Sequence, residues 1–331
     1  MNVKKDISAP SIVDVAKMAD VSLGTVSRIM NGQKSVRPEL RLKVFKVAHA
    51  LGFVPRTQVR RVGVVVGRRN LSMPVGYTYS LTSLLSNQAY LHHLPIDIID
   101  ENNLEQALDC RISAVIGVVF NDSFLELNHV PHLPIVSLNH PLVDKGVHSI
   151  YTNHFEQGVM ATRHLLDYGH RKIAFFGGMQ GEWGGRQRFL GYEKAMKDAG
   201  ITIKPEWVCH ADSCSVFDAL RSWLSNGITG LLNFNEDGVA ETLHILTNVL
   251  CRRIGEDISV ISIEDVPLYQ YFTPPQTVIV QPLEEMARLA FDFVDKQIRR
   301  KIREPKSSEV LDTCLAAKLV IRRSVGAPPL R

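Results

Sequence analysis

The sequence predicts an all-α helix-turn-helix head followed by a larger α/β body. Three observations predict it. Two short segments of helical apolar period flank a tight turn near the start, and a basic excess is confined to the first sixty residues. From Val62 onward, short β-rich runs alternate with amphipathic helical ones. The chain has 331 residues, 45% hydrophobic and 22% charged, which is enough for two or three globular domains.

In the head, Ser11 is placed to cap a first helix, with Asp14 three residues on as a short capping-box partner. Ile12, Val15, Ala16 and Ala19 give that helix one apolar face. Asp20 falls where the turn needs a residue tolerant of left-handed backbone. Ser22 caps a second helix whose Val26 and Ile29 point inward, leaving Leu23, Gly24, Thr25, Ser27 and Arg28 for the outer surface and the helix start. In such a motif the second helix enters the major groove of duplex DNA N-terminus first, so these residues meet base edges and phosphates. Pro38 suits the first position of a third helix, and Leu40, Val44, Val47, Ala48 and Leu51 form its stripe before Gly52 stops it.

Charge supports the same partner. Residues 1–61 hold twelve Lys and Arg against four Asp and Glu, a net +8, whereas the whole chain is +4, so the remaining 270 residues sum to −4. A basic head on a mildly acidic body is the footprint of a chain that neutralises phosphates with one end only.

The run Asp14-Val15-Ala16, Val21-Ser22, Thr25-Val26-Ser27-Arg28, Asn31, Val36, then Leu51-Gly52-Phe53-Val54-Pro55, resembles the DNA-binding head of the lactose-repressor/galactose-repressor (LacI/GalR) family. Gly169-His170-Arg171-Lys172-Ile173-Ala174, Arg188-Phe189-Leu190-Gly191-Tyr192, Asp257-Ile258-Ser259-Val260-Ile261 and Arg322-Arg323-Ser324 follow in that family's order, to about Val325. The resemblance implies a body of two doubly wound parallel sheets in two lobes, like a periplasmic binding protein. It implies a homodimer on near-palindromic operator DNA, and a sugar-like effector bound between the lobes of each body. The expected division is a head over 1–55, a linker over 56–61 and an effector domain over 62–325. Within that domain one lobe takes 62–153 and 281–309 and the other 154–280 and 310–325, leaving a tail at 326–331.

Within the body the strand candidates are Val62–Val66, Ile96–Ile99, Ala114–Val119, Ile135–Leu138, Lys172–Phe176, Gly230–Asn233 and Ser259–Ile263. The helical stretches are Glu156–Tyr168, Arg186–Ala199, Val239–Leu250 and Pro282–Arg300. This alternation indicates parallel sheets covered by helices. Apolar runs stay shorter than a membrane span and no signal-peptide core precedes the helices, so a cytoplasmic, nucleoid-associated protein is expected. Five scattered cysteines point to reduced thiols, and the Cys209–Cys214 spacing matches no common zinc arrangement. The glycine-rich pieces around 177–185 form neither a dinucleotide nor a phosphate-loop fingerprint, and no nucleophile elbow occurs. No cofactor, no metal and no enzyme are expected.

Carried over by motif, the resemblance places Arg188, opening Arg-x-x-Gly-Tyr, Asn235 in Phe-Asn-Glu and Glu264 in Ile-Glu-Asp on the effector. Guanidinium, amide and carboxylate are the groups that pair ligand hydroxyls. The plain alternatives are a helix-surface salt bridge for Arg188, a strand-end turn for Asn235 and a solvated loop for Glu264. Tyr77, Tyr79 and Trp183 read equally as stacking surfaces or as core. The departures from the family are Glu264 and Glu236 where Asp is usual, and Thr152-Asn153 where Asp-Asn is common. Between Pro55 and the first strand only Arg56 to Arg61 remain, without the leucine that family members wedge into the minor groove. Arg56, Arg60 and Arg61 are left to hold phosphates or enter a narrow groove. A vestigial pocket that takes no effector is the alternative to a ligand-controlled regulator.

Overall fold

The structure, a computed structural model, describes residues 10–31, 33, 36–53, 60–67, 76–109, 111–234, 236–299 and 310–329. It divides into two compact units, one spanning Met1–Arg69, Thr82–Ile150 and Glu284–Asp312, the other Asn70–Leu81, Tyr151–Leu283 and Thr313–Arg331.

The first unit opens with three helices, α1 (Ile12–Met18), α2 (Leu23–Met30) and α3 (Pro38–Leu51). Local chemistry sets their ends. The Asp14 amide donates to Ser11 Oγ (3.3 Å) while the Ser11 amide donates to Asp14 Oδ2 (2.8 Å), a reciprocal capping box. Asp20 takes φ 52° in the turn. Ser22 Oγ accepts the Thr25 amide at 3.1 Å, and Gly52 ends α3 at φ 66°. Val15, Val26, Ile29 and Val44 are fully or almost fully buried between the helices. Three such helices offer little apolar surface, and the core is completed from outside: Leu108 joins it and Val130 packs against it. His49 Nε2 lies 3.2 Å from the Leu108 carbonyl, and burial holds its imidazole below the usual pKa.

The sheet of this unit contains β1 (Arg61–Val66), β2 (Ile96–Asp100), β3 (Ile112–Val119), β4 (Ile135–Asn139) and β5 (His148–Thr152). With β11 (Asp312–Leu315) at its edge, the order is β11-β5-β4-β3-β1-β2. β1 sits parallel between β2 and β3, Val64 opposite Ile98 and Ile116. Two further helices are α4 (Tyr77–Leu91), which begins in the second unit, and α9 (Leu283–Arg299), whose Met286, Ala290, Phe291 and Val294 are buried.

The second unit carries α5 (His154–Asp167), β6 (Ile173–Gly177), α6 (Trp183–Asp198), β7 (Val208–His210), α7 (Val216–Ser225), β8 (Gly230–Phe234), α8 (Val239–His244), β9 (Ser259–Ile263), β10 (Thr277–Val280) and β12 (Lys318–Val320). The sheet runs β12-β10-β9-β8-β6-β7, with only the β10–β12 pair antiparallel. β6, β8 and β9 are buried along their whole length, as expected of parallel strands covered on both faces. α5 and α6 cross closely at Gly158 and Gly191, where a Cβ would lie 2.0 and 2.1 Å from the carbonyl oxygens of Arg188 and Phe155. The motif residue His170 is structural: its Nδ1 meets Thr229 Oγ1 and its Nε2 meets Ser259 Oγ and the Gly326 carbonyl, all at 2.9 Å. That bond anchors the start of the expected tail.

Three expectations need correction. The Val239–Leu250 helix is α-helical only to His244 and continues as a π-helix over Ile245–Val249. Cys209 and Cys214 are joined as a disulfide rather than left reduced, because the turn at 211–213 between β7 and α7 brings them to a Cα–Cα distance of 6.6 Å. Arg61 is not left for phosphate: it opens β1 and forks onto both carboxylate oxygens of Asp97 at 2.6 Å. Among the described residues, no helix is long and apolar enough to cross a membrane, and no group of three or more His, Cys, Asp or Glu is placed to hold a metal.

Candidate functional site

Two sets of residues carry chemistry, one in each unit. On the head, α2 buries Val26, Ile29 and Met30 and turns its other side outward. Leu23 is 49% exposed, Ser22, Gly24, Arg28 and Asn31 are exposed, and Thr25 and Ser27 are half-buried. The exposed residues are ordered among themselves. Ser22 Oγ and Thr25 Oγ1 are 2.9 Å apart, Arg28 Nε donates to the Gly24 carbonyl (3.3 Å), and Asn31 Nδ2 reaches Ser27 Oγ (3.5 Å). A helix start with hydroxyls at its cap and first turn and a guanidinium on the outward side is equipped to meet phosphates and base edges. Arg60 is exposed, with Nη1 donating to the Ile298 carbonyl at 2.6 Å, and Arg56 lies outside the described residues.

In the second unit a polar cluster is buried beside the ends of β8 and β9. Glu264, just past β9, is 5% exposed and held at φ 61°, a left-handed conformation rare for a side chain of its size. Burial and the nearby Glu236 carboxylate push its pKa up to about 8, against the opposing pull of Gln281 and Arg188. Arg188, in the second turn of α6, is 7% exposed, with its guanidinium carbon 6.0 Å from the Phe234 ring centroid. Neither residue is the exposed group that the plain alternatives describe. Asn235 lies outside the described residues. Tyr77 is buried at the start of α4, and its backbone N–H donates to Glu236 Oε2 at 3.1 Å. Trp183 is half-buried and edge-on to Tyr151 and His154, with centroids at 5.7 and 5.3 Å. Tyr79, 53% exposed, is in neither the core nor this cluster.

The structure adds residues that motif matching missed. His154, Gln157, Thr152 and Gln281 are buried and hydrogen-bonded in sequence to one another and to Glu264. Burial, reinforced by Arg188, lowers the His154 pKa to about 3, so the ring is neutral near pH 7. The departure at Thr152-Asn153 was the one sequence signal at this place.

Residues 11–56 match the family model described as bacterial regulatory proteins, lacI family, and residues 162–325 match a periplasmic binding protein-like domain. The HTH-type transcriptional repressor PurR of Vibrio vulnificus (strain CMCP6) is 28% identical, over 95% of this chain and 98% of the relative. Among solved structures, the transcriptional regulator CelR–cellobiose complex is 25% identical with a TM-score of 0.68, covering 95% of this chain and 99% of that one. The lac repressor dimer bound to operator and an anti-inducer shares the fold, with a TM-score of 0.67 at 20% identity, covering 97% and 100% of the two chains.

Proposed function

We propose that the chain is a member of the lacI family of bacterial regulatory proteins and works in the cytoplasm as a homodimeric repressor. In this reading two heads read half-sites about one helical turn apart on a near-palindromic operator. A polyhydroxylated, sugar-like effector held by Arg188, Asn235 and Glu264 sets how tightly they do so.

The observation that carries the reading is α2. One face closes the head core through Val26 and Ile29, while Leu23, Gly24 and Arg28 stand exposed beside a start capped by Ser22. The buried pair supports the second half: a guanidinium and a carboxyl are both withdrawn from water in one unit, where burying charged groups is costly unless partners or a ligand offset it. Their chemistry matches a ligand that brings hydroxyls to both.

Selection of duplexes from a random pool by the full chain tests the DNA half. A near-palindrome is expected to be enriched, and its affinity is expected to fall steeply with salt. Retention of all sequences alike would contradict the reading. A thermal-shift panel of sugars and nucleosides tests the effector half, since a ligand at 100 times its Kd adds about 2.7 kcal/mol. Stabilisation that disappears in Arg188→Ala is expected; stabilisation by none of the panel favours a vestigial pocket.

A further inference from the structure

Glu264 and Arg188 lie at the two ends of a single line of buried side chains. Gln281 Nε2 donates to Glu264 Oε1, and Thr152 Oγ1 donates to Gln281 Oε1. Gln157 Nε2 donates to Thr152 Oγ1 at 3.1 Å, and Gln157 Oε1 lies 3.1 Å from His154 Nδ1. Thr152, His154 and Gln157 are 0% exposed and Gln281 is 3% exposed. Past the ring, a Cβ placed on Gly184 would lie 3.1 Å from His154 Nε2 and 3.3 Å from Arg188 Nη2. The far edge of the imidazole therefore borders the same small space as the guanidinium.

Each amide in this line has one donor end and one acceptor end, and the hydroxyl between them donates one way while accepting the other. The direction of any one link therefore sets the direction of all. In this arrangement Gln157 Oε1 needs a proton on His154 Nδ1, so the neutral ring carries its acceptor lone pair on Nε2. The opposite direction is chemically complete as well. A proton on the inner oxygen of Glu264 would be donated to Gln281, with both amides turned over and the Thr152 hydroxyl rotated. His154 would then lose its Nδ1 proton and gain one on Nε2, so the net change is one proton taken up from solvent, at Glu264.

We propose that Gln281, Thr152, Gln157 and His154 are positioning residues that act as one directional hydrogen-bond wire, coupling the proton state of Glu264 to the histidine tautomer shown beside Arg188. Ionised Glu264 goes with a ring acceptor, and suits a ligand bringing hydroxyl or amine donors to both ends. The protonated acid goes with a ring N–H, and suits a ligand with an acceptor near Arg188. This consequence for ligand choice rests on the reading of the cluster as the effector pocket; the wire does not. Among the described residues, the other ionisable groups facing Glu264 are Glu236, Tyr77 and Arg188, while the adjacent Asp265 is paired with Arg322 at 2.6 Å.

The test needs no ligand. Full-length protein labelled with 13C at glutamate carboxyls and 15N at histidine rings is titrated by NMR, with Glu264→Gln and His154→Gln assigning the two signals. A Glu264 midpoint close to 8 is expected, with the His154 tautomer changing at the same midpoint. Thr152→Ser, which keeps the hydroxyl, is expected to behave alike. In Thr152→Val, Glu264 is expected to titrate while the ring no longer follows, and Gln157→Met is expected to uncouple them in the same way. A His154 tautomer constant through the Glu264 titration would overturn the proposal, as would coupling that survives both Thr152→Val and Gln157→Met. Coupling that persists while no small molecule stabilises the protein would uphold the wire and remove the effector reading.

Discussion

Gly158→Ala should push α5 away from α6 and move Arg188 with it. An alanine Cβ at this position would lie 2.0 Å from the Arg188 carbonyl oxygen, 2.9 Å from its carbonyl carbon and 3.1 Å from its Cα. All three are backbone atoms, so no flexible side chain can yield, and the helices must part by about 1 Å or more. Overpacking of that kind costs about 1–3 kcal/mol, and this overlap belongs at the upper end. Alanine's better helix propensity returns up to about 1 kcal/mol, leaving a net loss of about 2 kcal/mol. Gly185→Ala, on the facing helix α6, is the control. Its Cβ would meet nothing closer than the Met179 carbonyl oxygen at 3.8 Å, so only the propensity gain applies, up to about 1 kcal/mol of stabilisation. Urea unfolding of the full chain, followed by far-ultraviolet circular dichroism, separates the two. A Gly158→Ala protein as stable as the parent would refute the close-crossing argument, and so would equal losses at both positions.

Further outcomes are expected elsewhere. The Glu264 pKa is raised from 4.5 to about 8 on folding, so between those values the folded state keeps a proton that the unfolded chain has released. Stability therefore falls as pH rises through that window and levels off above it. Glu264→Gln should flatten that fall in denaturation curves measured across the window, and an unchanged slope would count against the buried acid. His154 shows the opposite sign. Its pKa drops from 6.5 to about 3, so its share of stability is complete above 6.5 and is lost as pH falls toward 3, a loss that His154→Gln should abolish in acid titrations. Arg28→Ala should cost about 1–3 kcal/mol of operator affinity and relax preference at one base position, as read by binding to single-base operator variants. Uniform weakening would reassign the residue to phosphate. With β1 beginning at Arg61, the linker past Pro55 is too short for the usual leucine wedge, so a circular-permutation assay should find little central bending.

The head was readable because its determinants are local. Ser11 with Asp14, Ser22 with Thr25, and Gly52 at the end of α3 all act within one turn of helix, which a linear pattern records. The buried strands were readable for the same reason: Val62–Val66 is an unbroken run of valine and glycine, and Ser259–Ile263 interleaves β-branched residues with small serines. Elements without such a pattern were missed. β7 spans three half-buried residues, and α4 mixes tyrosine, threonine and serine into a weak apolar stripe. Arg188 and Glu264 were reached through motif resemblance, and their burial and charge coupling only through the fold. The wire was not legible at all, because Thr152 and Gln281 are 129 residues apart and meet only once the second unit has folded. Arg61 shows the same limit, since its basic character is plain in the sequence and its capture by Asp97 is not.

The central claim is that a ligand bound beside Arg188 and Glu264 changes how the head holds DNA. Operator affinity of the full chain, measured by fluorescence anisotropy with and without a ligand that stabilises the protein in an Arg188-dependent way, tests it most directly. A change of about tenfold or more, equal to about 1.4 kcal/mol of coupling, is expected. The same affinity at saturating ligand would contradict it.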